Sequence, residues 1–171
     1  MFDLILRHGT VVTPHGTSQQ DVAISGERIS AITTPGTIDD TQAKRVIDVN
    51  GKIVMPGGID PHVHCKWIMP MPDGTFGFTE GPEIVSRAAL YGGTTTLIDF
   101  AARLEDIPFS EVIKKRDEDW EGNCYCDYSY HLMLLGDVEP PVLSELEGLI
   151  GDGSPTIKIF TTNITPSRSG R

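Results

Sequence analysis

The sequence predicts an α/β protein in which a small β segment precedes a parallel sheet with crossover helices. Up to about residue 55, short apolar runs alternate with tight-turn pairs such as His8-Gly9 and Ser25-Gly26, which is typical of successive antiparallel strands. After Pro56, strand-like and helix-like segments alternate, which is typical of a parallel sheet. We therefore divide the chain into segments 1–54 and 55–171, with the boundary near residues 52 to 58.

The first segment is predicted to be a β-meander. The apolar runs that mark its strands are Phe2 to Leu6, Val11-Val12, Val22 to Ile24 and Ile29 to Ile32. Residues 33 to 44 contain a Pro-Gly pair and two Asp, so they are predicted to form a loop. The strongest hairpin signal is Asn50-Gly51, between residues 46–49 and 52–55, because this pair suits the positive φ angles of a type I′ turn.

The second segment is predicted to contain four strands that alternate with three helices. In chain order these are a strand running into residues 59–64, a long loop through Pro70, Pro72 and Gly74, a helix over 82–91, a strand over 94–100, a helix over 110–121, a strand over 125–135, a helix from 140 or 141 to 150, and a strand over 156–160. Pro82 suits the first turn of the first helix, and Gly92-Gly93 ends it.

Composition excludes several classes of protein. The 171 residues carry a net charge of -10, which argues against nucleic acid and against an anionic membrane surface as partners. The apolar runs are far shorter than the roughly 20 residues that cross a bilayer, and Met1 to His8 lack the features of a secretory signal, so we expect a soluble protein. Three cysteines are too few for a disulfide-stapled secreted domain and fit a reducing cytoplasm. Cys124-Tyr125-Cys126 is interpreted as strand packing.

His62-Val63-His64 is the motif most informative about chemistry. Side chains two residues apart on a β-strand project from the same face, so the two imidazoles can reach one metal ion. The motif lies at the carboxyl end of a predicted strand, the end where catalytic sites lie in βα barrels. Taken alone, the pair is also compatible with ordinary surface or packing histidines.

Lys158 is the second informative residue. Thr156, Lys158 and Phe160 share one face of the last predicted strand, so the ammonium group is expected on the same side as the histidines. Burying an unpaired cation there is costly. The alternative is that the Lys158 side chain reaches out to solvent at the strand end.

These motifs lie in a wider resemblance. The string from Met55 to His64, Met-Pro-Gly-Gly-Ile-Asp-Pro-His-Val-His, resembles the first-strand motif of the amidohydrolase superfamily. Gly92 to Thr96 and Ile157 to Phe160 look most like its dihydropyrimidinase, hydantoinase and allantoinase branch, and the resemblance spans essentially the whole chain. It implies a (β/α)8 TIM barrel, of which residues 55–171 supply the first four strands, joined to a small β-sandwich to which residues 1–54 contribute.

The resemblance also implies a two-metal centre. His62 and His64 would bind the more buried of two divalent ions, with zinc the best match to the ligands, and a carbamate on Lys158 would bridge both ions. Two further His ligands and an Asp that serves as general base are expected beyond Arg171, so no catalytic residue is assigned within these residues. We expect a truncated or partly recorded chain that is inactive alone.

The roles of two other polar residues are also predicted. Asp60 is expected either to support the metal ligands or to accept hydrogen bonds from nearby backbone amides. His131 is interpreted as a core histidine with satisfied ring nitrogens.

The implied substrate is a small cyclic amide such as a dihydropyrimidine, a hydantoin, an imide or a lactam. By the same resemblance Cys65, Phe160 and Asn163 would line its pocket. Asn163 departs from the family, which has a Tyr at that position, although an amide can still donate to an oxyanion. The loop holding Trp67 to Met69 would either cap an apolar substituent or form a subunit contact.

Family resemblance implies a homo-oligomer, a tetramer. Two other functions remain open: a non-catalytic, dihydropyrimidinase-like scaffold that works through its oligomer contacts, and an aminohydrolase acting on a heterocyclic amine. The second would not need a carbamate on Lys158.

Overall fold

The computed structural model describes residues 1–104, 107–135 and 138–161. The chain divides into two compact units, Met1–Pro56 and a second that begins at Gly57. This division lies inside the boundary region that the sequence predicts. Asn163, one of the predicted pocket residues, lies outside the described residues.

The first unit is built on one mixed sheet. Its strands are β1 (Leu4–Thr13), β2 (Gly16–Ser25), β3 (Arg28–Thr33), β4 (Val46–Asp48) and β5 (Ile53–Val54). β1, β2 and β3 form an antiparallel meander, as predicted. The predicted loop between β3 and β4 contains a short 3₁₀ helix, Asp40–Gln42, whose first turn is capped by the Asp39 carboxylate.

The hairpin predicted at Asn50-Gly51 is wrong. β4 and β5 both pair in parallel with β1, with Ile5 opposite Val46 and Thr10 opposite Ile53. A turn does form, closed by the Lys52 amide, which donates to the Val49 carbonyl at 2.9 Å, but only Gly51 of the pair has a positive φ, so the turn is not the predicted type I′. The edge of β1 that does not pair with β2 is free, so the backbone groups of both β4 and β5 form their hydrogen bonds with β1. The turn therefore separates two short strands that follow β1 in the same direction.

The second unit alternates strands and helices. In chain order its elements are β6 (Gly58–Asp60), β7 (Ile68–Pro70), β8 (Phe76–Phe78), α1 (Pro82–Tyr91), β9 (Thr94–Ala102), α2 (Phe109–Trp120), β10 (Asp127–Met133), α3 (Pro140–Gly151) and β11 (Thr156–Lys158). The sheet has the order β11-β10-β9-β6 and all its strands are parallel. The predicted α/β class is therefore confirmed. In the part of the chain that the structure describes, no helix combines the length and apolarity needed to cross a membrane.

The segment predicted as one long loop contains the two-stranded hairpin of β7 and β8. Ile68 pairs with Phe78 in antiparallel register. Between the strands, the Thr75 amide and hydroxyl both donate to the Asp73 carboxylate, and Gly74 takes a positive φ. These bonds close a turn that the loop prediction did not include.

The helices pack on one face of the parallel sheet. The side chains of this core are fully or almost fully buried, and they include Leu97 and Ala101 of β9, Leu132 of β10 and Trp120 of α2. Alternate residues of the same strands, such as Phe100 and His131, therefore project from the opposite face. That face carries the candidate site.

The close approach of Gly57, the residue before β6, to Thr95 of β9 predicts that two glycine variants differ in stability. A Cβ at Gly57 would lie 2.7 Å from the Cβ of Thr95, an overlap that rotation of Thr95 cannot relieve. We expect Gly57→Ala to lower the free energy of unfolding by about 1 to 3 kcal/mol.

Gly148→Ala is the matched control, because a Cβ at Gly148 meets nothing within 4 Å on an exposed part of α3. It should leave the free energy of unfolding unchanged or raise it by up to about 1 kcal/mol. Urea denaturation of both variants measures the difference. Equal stabilities would contradict the close approach of Gly57 to Thr95 of β9.

Candidate metal centre

The His62 to His64 segment continues the direction of β6 and lies beside β9. The Val63 amide donates to the Ile98 carbonyl at 3.1 Å, which holds the segment extended beyond the last residue of β6. Val63 and Cys65 are buried in the core on the helix side. Because alternate residues of an extended segment point in opposite directions, His62 and His64 project together from the other face, where both are exposed.

The two imidazoles lie close enough to share one ion. Their Nε2 atoms are 3.3 Å apart. Two nitrogens bound to one tetrahedral zinc, each about 2.0 to 2.1 Å from it, are about 3.3 Å apart. Across the described residues, no group of three or more His, Cys, Asp or Glu side chains could hold a metal. The described part of the site therefore offers two imidazole ligands that fit a zinc ion.

An aromatic floor supports the imidazoles. Phe100, which is 2% exposed, stacks on His64 with 4.8 Å between ring centroids and meets His62 edge-on at 4.7 Å. The Trp67 ring meets His64 edge-on at 4.8 Å. These contacts restrict the rotation of both imidazoles and leave their Nε2 edges facing each other.

The charge state of His64 suits a metal ligand. Partial burial lowers the pKa of His64 below its ordinary value, Asp99 opposes this shift, and the neighbouring His62, Arg116 and Lys158 side chains lower the pKa further. This shift favours the neutral form of the ring. A neutral imidazole offers the lone pair that a metal requires.

His131 has both ring nitrogens satisfied, as expected. Nδ1 lies 2.6 Å from the Thr156 hydroxyl, and Nε2 lies 2.8 Å from the Pro61 carbonyl. Its ring also packs on Phe100 at 5.2 Å. The side chain is half-buried and lies on the imidazole face, so the expected location in the apolar core is wrong. Its bonds link β10, β11 and the residue that precedes His62.

Asp60 makes a backbone contact. Its Oδ1 accepts a hydrogen bond from the His62 amide at 3.1 Å. Of the two interpretations of this carboxylate, the observed contact matches the one in which it satisfies a nearby backbone amide. That bond fixes the peptide from which the first imidazole projects.

Lys158 lies on the same side of the sheet as the histidines. In the register of the sheet, Lys158 is opposite Met133 and Thr156 is opposite His131, so Lys158 shares the imidazole face. Its side chain is half-buried, and Nζ lies 4.8 Å from the centroid of the Phe160 ring. A cation over an aromatic face is stabilised by the ring quadrupole. Phe160, a predicted pocket residue, is thus beside Lys158.

Cys65 is not on the imidazole face. It is 0% exposed and packs in the core between the sheet and the helices. The alternation that exposes His64 turns the next side chain inward. This position does not support the pocket role expected for Cys65.

Sequence reasoning missed a buried carboxylate beneath the site. Asp99 is 0% exposed and pairs with Arg116 of α2 at 2.5 Å. One signal was available, because Asp99 is the only charged residue in the otherwise apolar and β-branched run of β9. A charged side chain is fully buried in a strand only when a group of opposite charge or hydrogen-bond donors pair with it. The partner on α2 could not be identified from spacing.

Comparisons with known proteins confirm the predicted resemblance. The D-hydantoinase of Streptomyces coelicolor is 36% identical over 158 residues, which are 91% of this chain and 33% of that protein. The dihydropyrimidinase of Rattus norvegicus is 32% identical over 135 residues, 77% of this chain and 25% of that protein. The crystal structure of dihydropyrimidinase from Brevibacillus agri superposes with a TM-score of 0.80 at 33% identity, covering 99% of this chain and 35% of that chain.

These relatives are much longer than the aligned region. The chain spans about one third of the length of the curated relatives it matches first. No model of a known protein family matches it.

The position of Cys65 predicts an unreactive thiol. Burial raises its pKa to about 12, so at pH 8 only about one molecule in ten thousand carries the thiolate that reacts with alkylating agents. We expect Cys65 to stay unmodified by iodoacetamide in the folded protein and to be modified in urea, as read by peptide mass mapping. Rapid modification of Cys65 in the folded protein would instead favour a position open to the pocket.

Proposed function

We infer that this chain, a relative of the hydantoinases and dihydropyrimidinases, contributes to a metal-dependent hydrolase that opens cyclic amides. The observation that carries the proposal is the 3.3 Å separation of the His62 and His64 Nε2 atoms, which fits two ligands of one zinc ion. The sequence relationship supports the choice of cyclic amides, since the relatives are named for that reaction.

The proposed metal centre uses three side chains of the described residues. His62 and His64 would hold one of two divalent ions, zinc by preference. Lys158 would carry a carbamate, formed when its neutral amine adds to carbon dioxide and one proton is released. The resulting carboxylate group would offer an oxygen to each ion and would replace a cation with an anion beside His64. Two further His and one Asp, expected from the family, would complete the ligand set.

The chemistry that such ions supply is a water of lowered pKa and a polarised amide carbonyl. The chain's own residues hold the proposed metal ligands in position. The Phe100 ring closes the side of the imidazoles that faces the core, and the His62 to His64 segment is fixed by the Val63 and Asp60 hydrogen bonds. Ligands that are already held in one orientation lose little conformational entropy when a metal binds.

The proposed architecture extends the observed sheet. We propose that the four parallel strands are part of a (β/α)8 barrel, in which the imidazole face becomes the interior. The mixed sheet of the first unit would contribute to a small β-sandwich. Both proposals are supported by the superposition with the dihydropyrimidinase structure at a TM-score of 0.80.

The proposed substrate is a ring such as dihydrouracil or a hydantoin. Phe160 would line its pocket beside Lys158, and Asn163 would offer an amide donor where the family has a Tyr. We propose a cytoplasmic location, because the free cysteines of the described residues fit a reducing compartment. By resemblance to the family, we propose a homotetramer as its assembly.

The central test of this function is a Lys158 variant of the full chain, by which we mean these residues together with the further metal ligands proposed above. We expect Lys158→Ala to remove most bound zinc and most hydrolysis of dihydrouracil and hydantoin, because the bridging group and its negative charge are lost. A small carboxylic acid such as propionate should restore part of both. Zinc content after dialysis and ring opening followed by ultraviolet absorbance are the measurements.

Lys114→Ala is the control, since Lys114 lies exposed on α2. It should retain zinc content and activity. Full zinc occupancy in Lys158→Ala would contradict the carbamate. A full chain that binds zinc but hydrolyses none of these rings would contradict the proposed substrate class.

A further inference from the structure

The Asp99 carboxylate is the most heavily bonded group beneath the metal site. It is 0% exposed. Oδ2 accepts the Cys65 amide at 3.1 Å and an Arg116 N–H at 2.5 Å. Oδ1 accepts the Trp67 indole N–H at 3.0 Å and the Phe100 amide at 2.7 Å. Four donors from three different segments therefore converge on one carboxylate.

Arg116 also binds the segment that follows His64. The same NH2 group that binds Asp99 also donates to the Cys65 carbonyl at 2.9 Å. The Cys65 residue is thus bound through its amide by Asp99 and through its carbonyl by Arg116. A buried ion pair is tolerated when its charged groups have hydrogen-bond partners. Both Asp99 oxygens have them, whereas the Arg116 Nε is buried without a partner among the described residues.

Three groups bonded to Asp99 determine the orientation of His64. Cys65 is its neighbour in the chain. Trp67 meets the His64 ring edge-on, and Phe100 stacks on it with an interplanar angle of 19°. Phe100 also meets His62 with centroids 4.7 Å apart. The carboxylate therefore fixes both the backbone and the two aromatic rings that surround the imidazole pair.

We propose that Asp99, with Arg116 as its counterion, is a positioning residue that orients the His62–His64 pair for metal binding. This inference rests on the proposed function. Asp99 does not touch the imidazoles through a hydrogen bond in the described contacts, so it acts through Cys65, Trp67 and Phe100. Groups that orient metal ligands typically change metal affinity about 10- to 100-fold when they are removed.

A second buried pair in the first unit provides a matched control. Asp21 is also 0% exposed, pairs with Arg7 at 2.5 Å, and accepts the His8 and Gly36 amides. All these partners lie in the first unit. Asp21→Asn and Asp99→Asn make the same chemical change in the same kind of environment, but only the second touches the surroundings of the imidazoles.

The experiment measures the metal affinity of the full chain directly. Zinc dissociation constants are obtained by competition with a chelator, and cobalt(II) absorption spectra report the ligand geometry. We expect Asp99→Asn to weaken zinc binding about 10- to 100-fold and to alter the cobalt spectrum. Asp21→Asn should change the dissociation constant by less than about twofold, whatever its effect on the melting temperature.

Trp67→Phe decides the outcome if Asp99→Asn does not fold. It removes the indole N–H that donates to Asp99 and keeps an aromatic ring beside His64. Because one of four contacts is lost, zinc binding should weaken about 3- to 10-fold. Wild-type affinity in every foldable variant would overturn the positioning role.

A metal-free measurement separates this inference from the proposed function. Imidazole ¹H–¹⁵N spectra of the apo chain at one pH should show shifted His62 and His64 signals in Asp99→Asn or Trp67→Phe and unchanged signals in Asp21→Asn. If the wild-type chain binds no zinc, the proposed function fails, and the spectra still test the positioning. If zinc binds but the variant spectra match the wild type, only the positioning fails.

Discussion

The pairing of the His62 to His64 segment with β9 is the interaction on which the candidate site depends. One hydrogen bond, from the Val63 amide to the Ile98 carbonyl, keeps the chain extended past the end of β6. Extension makes the side chains alternate, so Val63 and Cys65 enter the core while His62 and His64 face the opposite side. A one-residue shift of this register would bury the imidazoles and expose the core residues.

The two faces of the parallel sheet carry different kinds of side chain. The helix side is apolar and supplies hydrophobic burial through side chains such as Leu97 and Trp120. The imidazole side collects polar groups: two imidazoles, the satisfied ring of His131 and the Lys158 ammonium. The Asp99–Arg116 pair lies within the helix-side packing and binds the backbone of the segment that carries the imidazoles. Stability and ligand geometry are therefore linked through one carboxylate.

Features with local sequence signals were predicted well. α1 has the predicted bounds, because Pro82 suits a first turn and the Gly92-Gly93 pair ends the helix, with Gly93 at positive φ. The shared face of His62 and His64 followed from strand periodicity alone. The resemblance of residues 55–64 to a known first-strand motif supplied the family, which periodicity could not.

Features that depend on distant partners were predicted poorly. Asn50-Gly51 specifies a turn but not which strand its flanks join, and the free edge of β1 decided that. The contacts of Asp99 with Cys65 and Trp67 span more than thirty residues, so no spacing rule indicates them. Cys65 was assigned to the pocket through resemblance, whereas the alternation that exposes His64 turns it into the core.

The most direct test of the central claim is a crystal structure of the zinc-loaded full chain with an anomalous difference map at the zinc absorption edge. The proposed function predicts a peak about 2.0 to 2.1 Å from the Nε2 atoms of both His62 and His64. A zinc peak bound elsewhere, with these two imidazoles free of metal or turned to opposite sides of the sheet, would contradict it.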